Sequence, residues 1–153
     1  MSLDRAVADT NITAMDSPTL GHGQISSEGR AWHTRFNDAL ASRDLDRYLA
    51  FLHDDCSLQI NNAMPIYSKR ASQAAYRAHL TSFRTMTYEL MNIVGDDRRS
   101  SCEVLYTFGC HDGSAEVIQC SYLVDLDETG LIRSARVYGN GSRVFKPFMR
   151  AND

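Results

Sequence analysis

The sequence has little proline or glycine, 3 and 9 among 153 residues, and this excludes collagen-like and low-complexity readings for the bulk of the chain. It lacks long apolar runs. The longest uninterrupted one, Tyr48-Leu49-Ala50-Phe51-Leu52, falls far short of the ~20 residues that cross a bilayer, so no membrane span is expected. It lacks a positive excess, since 16 lysines and arginines face 19 aspartates and glutamates, and a net charge of −3 does not supply the field of a general nucleic-acid binder. Cys56, Cys102, Cys110 and Cys120 form no Cys-x-x-Cys pair and have no His-x-x-x-His partner, which disfavours a metal site. No glycine-rich strand-to-helix turn and no Gly-x-Ser-x-Gly elbow is present, so no nucleotide or other cofactor is expected. Asp4, Arg5 and Asp9 break the N-terminus before an apolar core of secretory length accumulates. With four unpaired thiols, a cytoplasmic protein is the simplest expectation.

What is present is a 43% hydrophobic chain long enough for one ordinary domain, which buries roughly 68–70% of its unfolded surface. Residues 1–25, with Pro18, Gly21 and Gly23, read as a flexible arm. A domain is expected over 26–145 and a tail over 146–153. Ser26 and Ser27 can cap a helix whose Trp32, Phe36, Ala39 and Leu40 fall on one stripe. Asp44 caps a second, in which Leu45, Tyr48, Leu49 and Leu52 keep the helical period. Cys56–Asn61 alternates as a short strand, and a third helix is predicted from about Lys69 to Phe83. From Thr85 the period becomes two. Strands are predicted at Thr87–Val94, Cys102–Cys110, Ala115–Leu126 and Leu131–Tyr138, joined by Asp- and Gly-rich turns that make neighbours antiparallel. The fold class is α+β, helices first and a meander after. The strands carry apolar residues on both faces, so helices should cover one face and a partner the other, which points to a homodimer.

Three segments carry a resemblance. They are Asp54-Asp55 running into Cys56-Ser57-Leu58-Gln59-Ile60, Lys69-Arg70 leading to Ala74-Ala75-Tyr76, and Leu126-Asp127-Glu128-Thr129-Gly130-Leu131-Ile132. In this order they resemble the nuclear transport factor 2-like superfamily, which includes ketosteroid isomerases, SnoaL-like polyketide cyclases, scytalone dehydratase and limonene epoxide hydrolase. The resemblance spans about Ser26 to Val144. It implies a cone-shaped, curved antiparallel or mixed sheet wrapped around three helices, a cystatin-like α+β barrel, with an apolar pocket inside and a dimer formed through the convex sheet face. Laying the steroid-isomerase pattern on the chain puts Ile60 where that group has its proton-shuttling aspartate, and Phe36 where it has an oxyanion-hole tyrosine. The group's third functional position falls on Tyr122, also a hydrogen-bond donor.

The implied activity is cofactor-independent acid–base chemistry, an isomerisation, cyclisation or dehydration, on a small hydrophobic oxygenated molecule such as a polyketide or terpenoid. Tyr122 is the candidate donor to a substrate oxygen. His79, among Tyr76, Leu80 and Phe83, and Glu103, if it points inward, are candidate proton acceptors. His111 at a hairpin is a candidate proton shuttle, and Asn62 a candidate ligand for a substrate oxygen. Trp32, Phe36, Ile60, Met64, Tyr76, Phe83, Leu105, Thr107, Cys120, Ala135 and Val137 are expected to line the pocket. A packed tyrosine, a satisfied core histidine and exposed turn residues are the alternatives for these candidates. Two other functions compete: a non-catalytic ligand-binding or dimerisation module, and partner binding through the convex face. A cavity of several hundred Å³ supports an enzyme or carrier, whereas a filled cone supports a module.

Overall fold

The computed structural model describes residues 24–140 and 143–149, so nearly all of the expected arm lies outside the described residues. The first helix, α1 (Ser27–Ala41), starts where Ser26 Oγ accepts the Gly29 amide at 3.0 Å. The Ser26 amide and hydroxyl donate in turn to the Asp97 carboxylate at 2.8 and 2.6 Å. Asp44 caps α2 (Leu45–Leu49) through the Asp46 and Arg47 amides. The chain then forms β1 (Leu52–Ile60), β2 (Ile66–Tyr67) and α3 (Lys69–Leu80), the last capped by Ser68. The meander follows as β3 (Thr85–Gly95), β4 (Arg99–Gly109), β5 (Ala115–Leu126) and β6 (Ile132–Gly139), and the chain closes with a 3-10 turn (Arg143–Phe145) and α4 (Lys146–Met149).

One six-stranded sheet has the order β2-β1-β6-β5-β4-β3. The β3–β4–β5–β6 run is antiparallel, as its tight turns require. By contrast β1 lies parallel to β6, with Leu58 opposite Ala135 and Ile60 opposite Val137. The sheet is therefore mixed, curved into a cone and not closed, with α1, α3 and α4 packed on it and α2 packed on α1 and α3. Asp127 shapes the last hairpin: its carboxylate accepts the Thr129 and Leu131 amides at 2.8 and 3.0 Å while Gly130 takes φ 81°.

Several boundaries differ from the sequence expectation, each for a physical reason. The second helix stops at Leu49 because the Phe51 carbonyl is taken by the Ile132 amide at 2.7 Å, which draws Leu52 into the sheet. His53, Asp54 and Asp55 accordingly belong to β1 and do not end a helix. The third helix stops at Leu80, where the Thr81 and Ser82 amides turn back onto Ala78 and His79 carbonyls. The expected tail is partly core: Phe148, like Val144 and Phe145 before it, is buried.

The core fills the concavity in two aromatic groups. At one end Trp32 stacks on Phe36 at 5.3 Å, with Phe51 edge-on to both. At the other, His79 sits among Phe83, Phe108, Phe145 and Phe148, with ring centroids 4.8–6.0 Å away. Arg43 fastens the α1–α2 turn to the end of α3, donating to the Leu80 carbonyl at 2.9 Å and to the Arg84 carbonyl, with its guanidinium 5.2 Å over Phe83.

Candidate active site

On α1, Trp32 and Phe36 form the apolar stripe, and His33 and Asn37 sit one residue further round at the same i, i+4 spacing. Both polar side chains are fully buried. They meet the inward residues of two strands: Ser100, Cys102, Val104, Tyr106 and Phe108 on β4, and Ile118, Cys120, Tyr122 and Val124 on β5. Register sets Cys102 directly opposite Tyr122.

These residues make one continuous hydrogen-bonded chain through the interior. Tyr106 Oη donates to Asn37 Oδ1 at 2.7 Å. Asn37 Nδ2 donates to Tyr122 Oη at 2.9 Å and to the His33 carbonyl at 2.8 Å. Tyr122 Oη pairs with His33 Nδ1 at 2.7 Å, and His33 Nε2 with Ser100 Oγ at 2.8 Å. The Asn37 amide orientation follows from these partners, since its nitrogen must face the His33 carbonyl. Every buried side-chain polar atom among the described residues has a partner.

The electrostatics are those of neutral groups in a dry interior. Burial lowers the His33 pKa to about 4 and that of His79 to about 4. Burial likewise holds the phenols of Tyr106 and Tyr122 well above their ordinary range and pushes the Cys120 thiol up to about 11. Both imidazoles are therefore uncharged near pH 7, and both phenols are protonated donors.

A cavity of about 80 Å³ lies beside this chain, lined almost entirely by carbon. Tyr122 and Tyr106 bring phenols to its wall, and His79 brings an imidazole from α3. The His79 Nδ1 lies 2.5 Å from the Val144 carbonyl, so it carries the proton and Nε2 keeps its lone pair. Among the expected lining residues, Phe36, Ile60, Tyr76, Ala135 and Val137 stand on this wall. Trp32, Phe83 and Cys120 are buried but set back from it; the Trp32 indole donates to the Gly130 carbonyl at 3.0 Å.

Three expectations are corrected by strand parity, and three by turn geometry. Glu103, Leu105 and Thr107 point to the outer face of β4, because Cys102, Val104 and Tyr106 take the inner one; Glu103 is exposed. Asn62 and Met64 belong to the exposed turn between β1 and β2, with Met64 70% exposed. His111 is exposed in the β4–β5 hairpin, where its Nε2 pairs with the Thr81 carbonyl at 3.0 Å, away from the cavity. Conversely, sequence reasoning missed His33, Asn37, Ser100 and Tyr106. The available signal was the polar i, i+4 pair flanking the Trp32–Phe36 stripe. Among the described residues no group of three or more metal-ligating side chains converges, and all four cysteines are free and buried.

The family model described as "SnoaL-like domain" matches residues 33–135. No match was found among curated proteins. Solved structures share the fold at low identity. PrhC from Penicillium brasilianum superposes with a TM-score of 0.66 at 11% identity, over 80% of this chain and 85% of its own. The epoxide hydrolase/cyclase-like enzyme SalBIII, described for pyran ring formation in the polyether salinomycin, gives 0.66 at 12%, over 74% and 92%. An LEH-like epoxide hydrolase of M. tuberculosis gives 0.64 at 19%, over 82% and 92%.

Proposed function

The chain belongs to the SnoaL-like domain family, within the nuclear transport factor 2-like superfamily, and from that premise we propose that it is a cofactor-independent acid–base catalyst acting on a small apolar molecule with one reactive oxygen. The observation that carries this reading is Tyr122, a wall residue of an otherwise apolar cavity whose hydroxyl is held by His33 and Asn37. With its proton on Nδ1, His33 donates to the Tyr122 oxygen, as Asn37 already does. The phenol proton then has Cys102 Sγ, opposite on β4, as its resting partner and must turn from it to a substrate oxygen. The phenol oxygen meanwhile carries two donors that stabilise charge developing on it. Tyr122 thus hydrogen-bonds a carbonyl, epoxide or ring oxygen as charge builds there. His79, neutral and with Nε2 holding a lone pair, is the wall residue able to take a proton from the adjacent carbon skeleton. Its low basicity restricts it to acidified positions, such as a carbon alpha to a carbonyl polarised by Tyr122.

The test is a panel of small cyclic enones, lactones and epoxides, with turnover followed by mass spectrometry. Tyr122→Phe and His79→Gln are each expected to lower turnover by at least ~10-fold with the fold retained. Unchanged rates in both variants contradict the assignment. A second reading, a non-catalytic module, is favoured by one observation: about 80 Å³ is well below the ~300–1,000 Å³ of ordinary ligand pockets. Absence of any binder in the panel supports it. We also propose a homodimer through the outer sheet face, where exposed Val94, Val117 and Tyr138 join half-buried Leu105 and Leu123. A solution mass twice that of one chain is expected by light scattering, and a monomer contradicts it. No helix among the described residues is long and apolar enough to cross a membrane.

A further inference from the structure

At about 80 Å³ the cavity is smaller than the ~150 Å³ that admits a single benzene ring, so if the cone takes a cyclic ligand, as the proposed function requires, some wall must yield. The walls differ in how they are held. Within the sheet, β1 is paired on both edges by β2 and β6, and β5 by β4 and β6. The helix α1 is tied at its start by Ser26 to Asp97, along its length by Tyr88 Oη to Asp38 at 2.5 Å and by Trp32 to Gly130, and just past its end by Arg43 to the Leu80 carbonyl. Capped α3 lies between β2 and β3 in the chain and carries that same Arg43 contact. Arg143–Met149 is different. It pairs with no strand, yet it delivers Phe145 and Phe148 to the cavity wall, stacked on or tilted against His79. Its polar fastenings include the His79–Val144 hydrogen bond and ion pairs from half-exposed Arg143 to Asp112 at 3.5 Å and Glu116 at 2.5 Å.

We propose that Arg143–Met149 is a removable stopper, whose Phe145 and Phe148 rings occupy the part of the cone a ligand needs and leave together to admit it. Withdrawal breaks no sheet ladder. It adds the volume of two phenyl rings to the existing cavity and uncovers the His79 ring that Phe145 and Phe148 pack against. The inference rests on the reading that the cone takes a ligand, but its mechanics are testable without one.

Cys56 is the reporter, because it lines the cavity while Cys102 and Cys120 are buried off its wall. The full chain is treated with methyl methanethiosulfonate under native conditions, and modification of each cysteine is followed by peptide mapping. Phe148→Ala is expected to speed modification of Cys56 by about tenfold or more, with Cys102 and Cys120 within about twofold of their original rates. No acceleration at Cys56, or an equal acceleration at all three, overturns the stopper. Should Phe148→Ala fail to fold, hydrogen exchange of the unsubstituted chain decides. The amides of residues 144–149, Pro147 aside, should exchange at least about tenfold faster than those of Tyr106 and Tyr122, and exchange in step with them overturns the proposal. Turnover with an unresponsive Cys56 defeats only the stopper, whereas a responsive Cys56 without turnover defeats only the acid–base reading.

Discussion

Tyr122 Oη joins three chain segments, since Asn37 and His33 on α1 reach it from one side and Tyr106 on β4 supports Asn37 from behind. Removing that oxygen leaves Asn37 Nδ2 and His33 Nδ1 each short of a partner in a dry interior. Tyr122→Phe is therefore expected to cost about 1–3 kcal/mol in urea unfolding, and Asn37→Ala a similar amount. The double variant should cost less than the two together, since each single change already breaks their shared bond. Protonation follows from the same burial. Burial lowers His33 and His79 from the ordinary 6.5 to about 4 in the folded chain, so between these values the unfolded chain binds more protons. Stability is expected to fall as pH drops from about 6.5 toward 4, by up to about 1.4 kcal/mol per unit per histidine, and to level off below. Urea unfolding at pH 7 and pH 5 checks this, and His79→Gln should shrink the difference. At this scale Tyr122 was legible, because period-two alternation along β5 puts it with Cys120 and Val124. His33 and Asn37 were not, because a polar pair beside an apolar stripe reads equally as solvated surface until a strand supplies its partners.

Elements show the same division between local and long-range information. Caps, turns and the meander follow from short-range chemistry: Ser26, Asp44 and Asp127 each satisfy backbone donors within a few residues. The parallel pairing of β1 with β6 joins segments some 80 residues apart and leaves no local trace. The inward face of β4 was ambiguous because both parities carry apolar residues, and only pairing with β5 settles it, which is why Glu103 fell on the wrong side. Phe148 fell in the expected tail since its segment is too short to show a period. Helix α1 offers a prediction against propensity. Alanine is ordinarily better than glycine in a helix by about 1 kcal/mol. A Cβ at Gly29, however, would lie 2.2 Å from Asp97 Oδ1 and 2.6 Å from Ile25 Cγ1, prising the Asp97 clasp off Ser26. Gly29→Ala is expected to leave the melting temperature unchanged or lower, and a rise by several degrees contradicts the clasp.

For the molecule as a whole, a curved sheet and four helices enclose a polar chain of hydrogen bonds within an apolar shell, with about 80 Å³ left open beside it. The family match and the superpositions fix this architecture, and the proposed chemistry depends on whether a guest reaches the phenol within it. The most direct measurement is carbon NMR of the full chain labelled at tyrosine Cζ, titrated with a small cyclic enone. Saturable movement of the Tyr122 resonance, absent in Tyr122→Phe and accompanied by shifts at Tyr106, is the expected result. Shifts confined to exposed Tyr67 and Tyr138, with Tyr122 unmoved, would contradict a ligand site inside the cone.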